Sequence, residues 1–370
     1  MDKPKILFIA TFPPPIHGSA VVSQQIKDSI VINNEFDGDY VNLGSSRTID
    51  EIGKAGFFIK IKKLFRFIGT FIKTFSLLLL HKYDLCYCAI TCRGVGFLKD
   101  APIVLLCKLF RRKIVIHQHN KGMSKYINRP LYRWLLPLVY KNAKVILLSW
   151  ELYPDIENVV KKENVFICPN GIKPTLNEEI IHNPTLTPHI LFLSNLITNK
   201  GVFVLLDALK ILRGKGYSFI CDFVGSESQE INTTRFLKEI EDRGLKDYII
   251  YHGSKYGHDK YKFYIQADIF VLPSFDEAFP LVIIEAMEYK LPIVSTNVGG
   301  IPDEVNNGYN GFLVEPNDVN ALVNAIKSLL INPELRLDMG LKSRLIFEDC
   351  FTESAFEKCM KNCLDCCICN

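Results

Sequence analysis

The feature that most constrains this chain is a repeated alternation of short apolar runs with longer amphipathic stretches. Continuous apolar runs fall at 5–10, 39–43, 84–90, 113–117, 144–149 and 165–168, with helix-like stretches near 18–31, 57–80, 97–110, 129–141 and 151–161 between them. A strand that is apolar throughout is covered on both faces, and alternation with helices predicts a parallel sheet. A polar stretch, 172–189, carries three prolines and no clear period. It reads as a linker. The alternation then restarts, with strands expected at 189–194, 218–224, 248–252, 268–272, 292–296 and 312–314. Helices are expected near 201–213, 231–243, 257–266, 281–290, 318–331 and 333–347, and a last one from about 352. The predicted fold class is therefore α/β, with two Rossmann-like doubly wound domains in series. Their bounds are 1–180 and 181–347, followed by a terminal helix over 348–370. Open α/β sheets bind ligands beyond the C-terminal ends of their strands, so chemistry is expected there, in a cleft where the two domains face each other.

Charge is distributed unevenly. The 370 residues carry a formal net charge of +4, yet residues 51–150 hold 19 Lys/Arg against 3 Asp/Glu, and 101–150 hold no acid. The first apolar run follows Lys3 and Lys5 but stops at Pro13-Pro14-Pro15, which does not fit an export signal. The stretch 57–80 is apolar but carries Lys60, Lys62, Lys63, Arg66 and Lys73, too many charges for a spanning helix. A cytoplasmic location follows, with the twelve cysteines as free thiols.

The segment VLPSFDEAFPLVIIEAMEYKLPIVSTNVGGIPDEV (271–305) carries the strongest functional signal. A strand ends in a loop with Glu277. Pro280 then suits the start of a helix, where a missing N–H costs nothing. A helix N-terminus is a ready anion site. Glu277 lies before the helix and Glu285 inside it, with seven residues between them, so both are expected to border one small volume. Carboxylates beside a phosphate would accept hydroxyl hydrogen bonds, as a sugar nucleotide offers. Glu285 also sits in an apolar run, VIIEAM, where a charge needs a reason.

The E-x7-E spacing in this context, with Gly299-Gly300-Ile301-Pro302 after it, resembles retaining glycosyltransferases of the GT-B fold, the glycogen synthase-like and phosphatidylinositol mannosyltransferase-like group. CPNGI (168–172), LFLSNLITNKGV (191–202), DFVG (222–225), YHG (251–253), NNGYNGFLVEPNDVNAL (306–322) and FPPPIHGSAVV (12–22) extend the resemblance over most of the chain. It implies that Glu285 binds the ribose hydroxyls and Glu277 the donor sugar. Backbone N–H groups of Phe279, Pro280's neighbour Leu281, and Val282 would hold the sugar and distal phosphate, and Lys200 the pyrophosphate. The sequence departs from the family at Asn195, where Arg is usual, and at His17-Gly18, where two glycines are usual; Gly18 still lets backbone approach a phosphate. In RRKIVIHQHNKG (111–122), His117 and His119 end a strand where the family places a histidine by the donor sugar, and His119 is favoured. The resemblance also implies that the terminal helix crosses back to the first domain, and that the departing phosphate helps to deprotonate the acceptor, so that no protein nucleophile is needed.

No cofactor and no metal are expected, the substrate being a UDP- or GDP-linked sugar. Asp37-Gly38-Asp39 reads as a turn before the second strand. The cysteine-rich end, CMKNCLDCCICN, lacks paired C-x2-C units, and burial as small hydrophobes accounts for Cys359 and Cys363. The basic, aromatic stretches 57–80 and 125–141, the latter with Trp134, suit an anionic membrane surface, and hence a lipid-linked glycan acceptor in surface polysaccharide or glycolipid synthesis. No nucleic-acid recognition motif accompanies the charge. Two alternatives stay open: a non-catalytic sugar-nucleotide-binding protein and a sugar-nucleotide epimerase of the same fold.

Overall fold

The computed structural model describes residues 3–14, 18–44, 57–175 and 187–369. Two compact units result, Met1–Asn170 together with Ser354–Asn370, and Gly171–Glu353. His17 and most of the linker, residues 176–186, lie outside the described residues.

The first unit is built on strands β1 (Lys5–Ala10), β2 (Asp37–Asn42), β3 (Leu85–Ala89), β4 (Ile114–Gln118), β5 (Lys144–Leu147) and β6 (Val165–Ile167). They form one sheet in the order β2-β1-β3-β4-β5-β6. Every pairing is parallel, with Ala10 opposite Asn42 and Ala89 opposite His117. The helices are α1 (Gly18–Asp28), α2 (Ile30–Glu35), α3 (Phe57–Leu80), α4 (Gly94–Leu109) and α5 (Pro130–Tyr140). The single helix expected over 18–31 is two, because the Ser29 hydroxyl accepts from the Ile32 N–H and caps a new helix. The stretch expected to be helical at 151–161 holds only a short 3-10 turn, Trp150–Asp155, with Pro154 inside it, where an α-helix would lose a hydrogen bond. Asp37-Gly38-Asp39 is not a turn but the start of β2. Lys5 pairs with Asp39 at 3.2 Å, and the Tyr83 hydroxyl donates to it at 2.6 Å. The hydroxyl and the ammonium hold the Asp39 carboxyl below its usual range despite partial burial.

The second unit repeats the plan. Its strands are β7 (His189–Leu193), β8 (Ile220–Val224), β9 (Ile249–Tyr251), β10 (Ile269–Leu272), β11 (Ile293–Thr296) and β12 (Gly311–Val314), in the order β12-β11-β10-β7-β8-β9. Between and after them run α6 (Val202–Gly214), α7 (Thr233–Asp242), α8 (His258–Gln266), α9 (Leu281–Glu288), α10 (Ile301–Glu304), α11 (Val319–Ile331) and α12 (Pro333–Ile346). All pairings are parallel. In both units the inner strands β1, β3, β4, β5, β7, β8, β10 and β11 are buried along nearly their whole length, as sheets covered by helices on both faces require, while the edge strands β2, β6, β9 and β12 are only partly buried.

The last helix, α13 (Glu353–Cys369), packs into the core of the first unit. Phe356, Met360, Cys363, Leu364 and Cys367 join Ile6, Phe8, Ile26 and Tyr87 in one apolar cluster. Their spacing of three and four residues gives the helix one buried stripe. Cys359 and Cys363, one turn apart, both reach the Ile167 carbonyl, at 3.3 and 3.8 Å.

Candidate active site

The second unit gathers its candidate residues at the C-terminal ends of β7 and β10. After β7, the loop over Thr198–Lys200 turns through Gly201, whose φ is +75°. A Cβ there would lie 1.9 Å from the Pro273 carbonyl oxygen, so only glycine lets the two backbones meet. Two hydrogen bonds complete that strap. The Phe275 N–H donates to the Asn199 carbonyl at 2.8 Å, and the Ser274 hydroxyl donates to it at 2.9 Å. The strap fixes the loop carrying Lys200 against the loop carrying Glu277. Their side chains meet at 2.5 Å, with Glu277 the more buried of the two. Within low-dielectric surroundings such a pair is strong only while both partners stay.

A second strap lies on the other side of Glu277. Gly299 has φ +56°, and a Cβ on it would sit 1.9 Å from the Glu277 carbonyl oxygen. The Gly300 N–H donates to the Ala278 carbonyl at 2.7 Å. Residues 277–278 are thus held between the 199–201 loop and the 299–300 turn. Phe279 is buried, with its ring edge against Phe351. Pro280 is the residue before α9, so the helix starts one position later than a proline inside its first turn would give. Leu281, Val282 and Glu285 form the partly exposed side of that helix, and the first N–H groups of a helix have no intrahelical partner.

Glu285 is held by two groups that sequence reasoning missed. Lys260 reaches one carboxylate oxygen at 2.6 Å, and the Tyr264 hydroxyl donates to the other at 2.7 Å. Both lie on α8, four residues apart and therefore on one face; that spacing was the only available signal. Glu277 and Glu285 consequently have different cations, not a shared one. Glu304, on α10, is a further unforeseen group. It is fully buried, and neither carboxylate oxygen has a hydrogen-bond partner among the described residues. Burial, then the charges of Glu277 and Asp303, push its carboxyl well above the usual range. Asn310 donates to its backbone carbonyl at 3.1 Å and fixes the turn.

The profile of the family described as glycosyl transferases group 1 matches residues 176–345. The chain carries a glycosyl transferases group 1 domain. Lys200, Glu277, Glu285, Gly299 and Glu304 all fall inside it. An uncharacterized glycosyltransferase of Haemophilus influenzae is 32% identical over 210 residues, 56% of this chain and 56% of its own. The capsular polysaccharide biosynthesis glycosyltransferase CapM of Staphylococcus aureus is 31% identical over 163 residues, 44% of this chain and 41% of its own. The chain thus spans about half the length of the curated relatives it matches. Among solved structures, sucrose-phosphate synthase from Thermosynechococcus elongatus has a TM-score of 0.73 at 19% identity, covering 98% of both chains. Anabaena HepE in complex with UDP has a TM-score of 0.76 at 17% identity, covering 98% of this chain and 99% of its own. The fold is GT-B, with two Rossmann-like sheets.

The remaining sequence-selected residues are less directly placed. Next to the group 1 domain's Lys200 loop, Asn195 is exposed, and its side-chain oxygen accepts from the Ser226 N–H at 3.2 Å; it braces the loop after β8. Gly18 opens α1 in the first unit. His117, in β4, is fully buried with Nδ1 2.6 Å from the Tyr87 hydroxyl. Burial, then the neighbouring His119 ring at 4.0 Å, hold its imidazole well below the usual range, hence neutral. His119 lies just beyond the strand and is partly exposed. Among the described residues, no three His, Cys, Asp or Glu side chains converge on a common point as a metal set would.

Proposed function

We propose that the protein is a retaining, metal-independent glycosyltransferase using a UDP- or GDP-linked hexose. The observation that carries this is the Lys200–Glu277 pair, clamped by two glycine straps beside the start of α9. Cation, carboxylate and helix N-terminus are the three elements needed to hold a diphosphate and the sugar on it. Lys200 takes the pyrophosphate and offsets the charge of the leaving nucleotide, while Glu277 accepts from the donor sugar's hydroxyls. Glu285, aligned by Lys260 and Tyr264, accepts from the ribose hydroxyls. The N–H groups of Phe279, Leu281 and Val282 reach the sugar and distal phosphate. The family resemblance further assigns His119, with His117 beside it, and Gly18 of the first unit to the donor. Transfer proceeds on one face of the sugar, and catalysis is positioning plus electrostatic support.

The acceptor is a lipid-linked glycan, and the protein works at the anionic inner face of the cytoplasmic membrane. α3 supports this: Phe58, Phe65, Leu79 and Leu80 are 66–78% exposed on a helix with five cations. Trp134 on α5 is 77% exposed. No helix among the described residues is long and apolar enough to cross a membrane, and the attachment proposed is peripheral, through these exposed apolar and basic side chains. A relative named for capsular polysaccharide synthesis points the same way.

A thermal-shift panel of UDP- and GDP-sugars tests the donor reading. One donor should stabilise the protein, and Glu285→Gln should remove that shift; no shift from any donor overturns it. Flotation with anionic liposomes at low salt tests the membrane reading, which fails if the protein stays in the soluble fraction.

A further inference from the structure

Three cysteines from two distant parts of the chain meet in the first unit. Cys168 follows β6 directly, and Cys359 and Cys363 lie one turn apart on α13. Cys168 and Cys363 belong to one apolar cluster, and Cys359 packs against its edge. The Ile167 carbonyl oxygen lies 3.3 Å from the Cys359 sulfur and 3.8 Å from the Cys363 sulfur. The Cys168 thiol is in hydrogen-bond contact with both of those sulfurs. All three are free thiols. Packing alone asks for small apolar groups here, not for three thiols in mutual contact.

Their exposures differ. Cys168 is fully buried and Cys363 nearly so, whereas Cys359 is only partly buried. A small oxidant arriving from solvent therefore meets Cys359 first. On losing its proton, Cys359 gives up its bond to the Ile167 carbonyl and accepts from Cys168 and Cys363. Those two bonds hold its thiol below the usual range, and the contacts with Cys359 and then Cys363 push the Cys168 thiol above it. A thiolate beside a protonated thiol is the arrangement in which one sulfur is oxidised and the other resolves it.

Which sulfur resolves follows from geometry. A disulfide needs Cβ atoms about 3.5–4.5 Å apart, and residues four apart on a helix hold theirs at ~5–6 Å. Cys359 and Cys363 can be joined only by distorting α13. Cys168 comes from another element and carries no such constraint.

We propose that Cys359 is a site of hydroperoxide oxidation, and that Cys168 resolves it as a disulfide fastening α13 to the end of β6. The Cys359 thiolate attacks one oxygen of hydrogen peroxide. The O–O bond breaks, hydroxide leaves, and Cys359 becomes a sulfenic acid. The Cys168 sulfur then attacks the Cys359 sulfur. The S–S bond forms, the S–O bond breaks, and the Cys168 proton leaves with the hydroxyl as water. Two electrons pass from the thiol pair to the peroxide. The chain leaves the first unit after Asn170 and returns at Ser354, so the bond joins the departing and returning segments.

The test is peptide mapping of the full-length protein after hydrogen peroxide treatment, with remaining thiols alkylated under denaturing conditions. Trypsin cuts after Lys358 and Lys361, so Cys359 leaves on a peptide separate from Cys363. Wild type should give a Cys168–Cys359 cross-linked pair that dithiothreitol separates. Cys359 should lose its thiol at least ~10-fold faster than Cys350, whose thiol is pushed up by burial, then by Asp349. Cys363→Ser should keep the cross-linked pair and Cys359→Ser should abolish it. Cys168→Ser should leave Cys359 as a sulfenic acid that dimedone traps. The wild-type map decides the bond without any variant. Cross-links that join other cysteines and never Cys168 with Cys359, or a Cys359 that reacts no faster than Cys350, would overturn the proposal. Oxidised wild type should also unfold at higher urea than the reduced protein, with no such shift in Cys359→Ser; a bond without that rise would overturn the fastening of α13.

Discussion

Replacing Gly299 by alanine perturbs the candidate site through geometry alone. The added Cβ would lie 1.9 Å from the Glu277 carbonyl oxygen, whereas real Cβ atoms essentially never come closer than 3.0 Å. The 299–300 turn and the Glu277 loop must therefore part by about 1.1 Å. The left-handed backbone at φ +56° costs alanine a further ~1–2 kcal/mol. Gly308→Ala is the control, because its φ is +81° and a Cβ there meets nothing within 4 Å. It carries the backbone strain without the displacement. A misplacement of about 1 Å costs a reacting site ~100-fold. Steady-state donor turnover should then fall by about two orders of magnitude in kcat/KM for Gly299→Ala, and within about threefold for Gly308→Ala. Urea unfolding should show Gly308→Ala losing ~1–2 kcal/mol, and Gly299→Ala losing more. If Gly299→Ala turns over donor as wild type does, the backbone contact does not position Glu277, and the clamp reasoning is wrong.

Three other outcomes follow from the packing. Glu304 has a raised carboxyl pKa in the folded state, so its contribution is fully present below the unfolded carboxyl pKa of about 4.5 and is lost as pH rises. Glu304→Gln should therefore abolish a decline of up to ~1.4 kcal/mol per pH unit above that point, read as urea stability against pH; parallel curves for the two proteins would contradict it. Tyr264→Phe removes one donor from Glu285 and should weaken nucleotide-sugar binding by ~0.5–1.5 kcal/mol, about 2- to 12-fold, in a calorimetric titration. Leu364→Ala empties a fully buried position in the first unit's core and should cost that unit ~2–5 kcal/mol. Both tryptophans, Trp134 and Trp150, lie in that unit, so fluorescence-detected urea unfolding isolates it.

Strand positions were legible because a strand buried on both faces is apolar throughout: β1, Lys5–Ala10, stands where its apolar run does. α3 likewise spans its expected 57–80. What periodicity could not show were breaks set by single hydrogen bonds. The Ser29 cap divides α1 from α2 without disturbing the apolar pattern. Glu277 and Glu285 stood out through loop and helix context, and Lys200 through the family resemblance of its NKG motif. Lys260 and Tyr264 did not, because their roles depend on α8 meeting α9, a contact that their shared helix face alone does not specify. Glu304 sits in IPDEV, which reads as a polar turn; its burial arises from the turn folding back on Glu277.

Release of nucleoside diphosphate from a panel of UDP- and GDP-sugars, with wild type and Lys200→Ala, tests the central claim most directly. One donor should be cleaved by wild type, and Lys200→Ala should lower that rate by ~100-fold or more. A donor that binds without cleavage by wild type would contradict catalysis and favour a binding protein, and unchanged cleavage by Lys200→Ala would contradict the clamp as the diphosphate site.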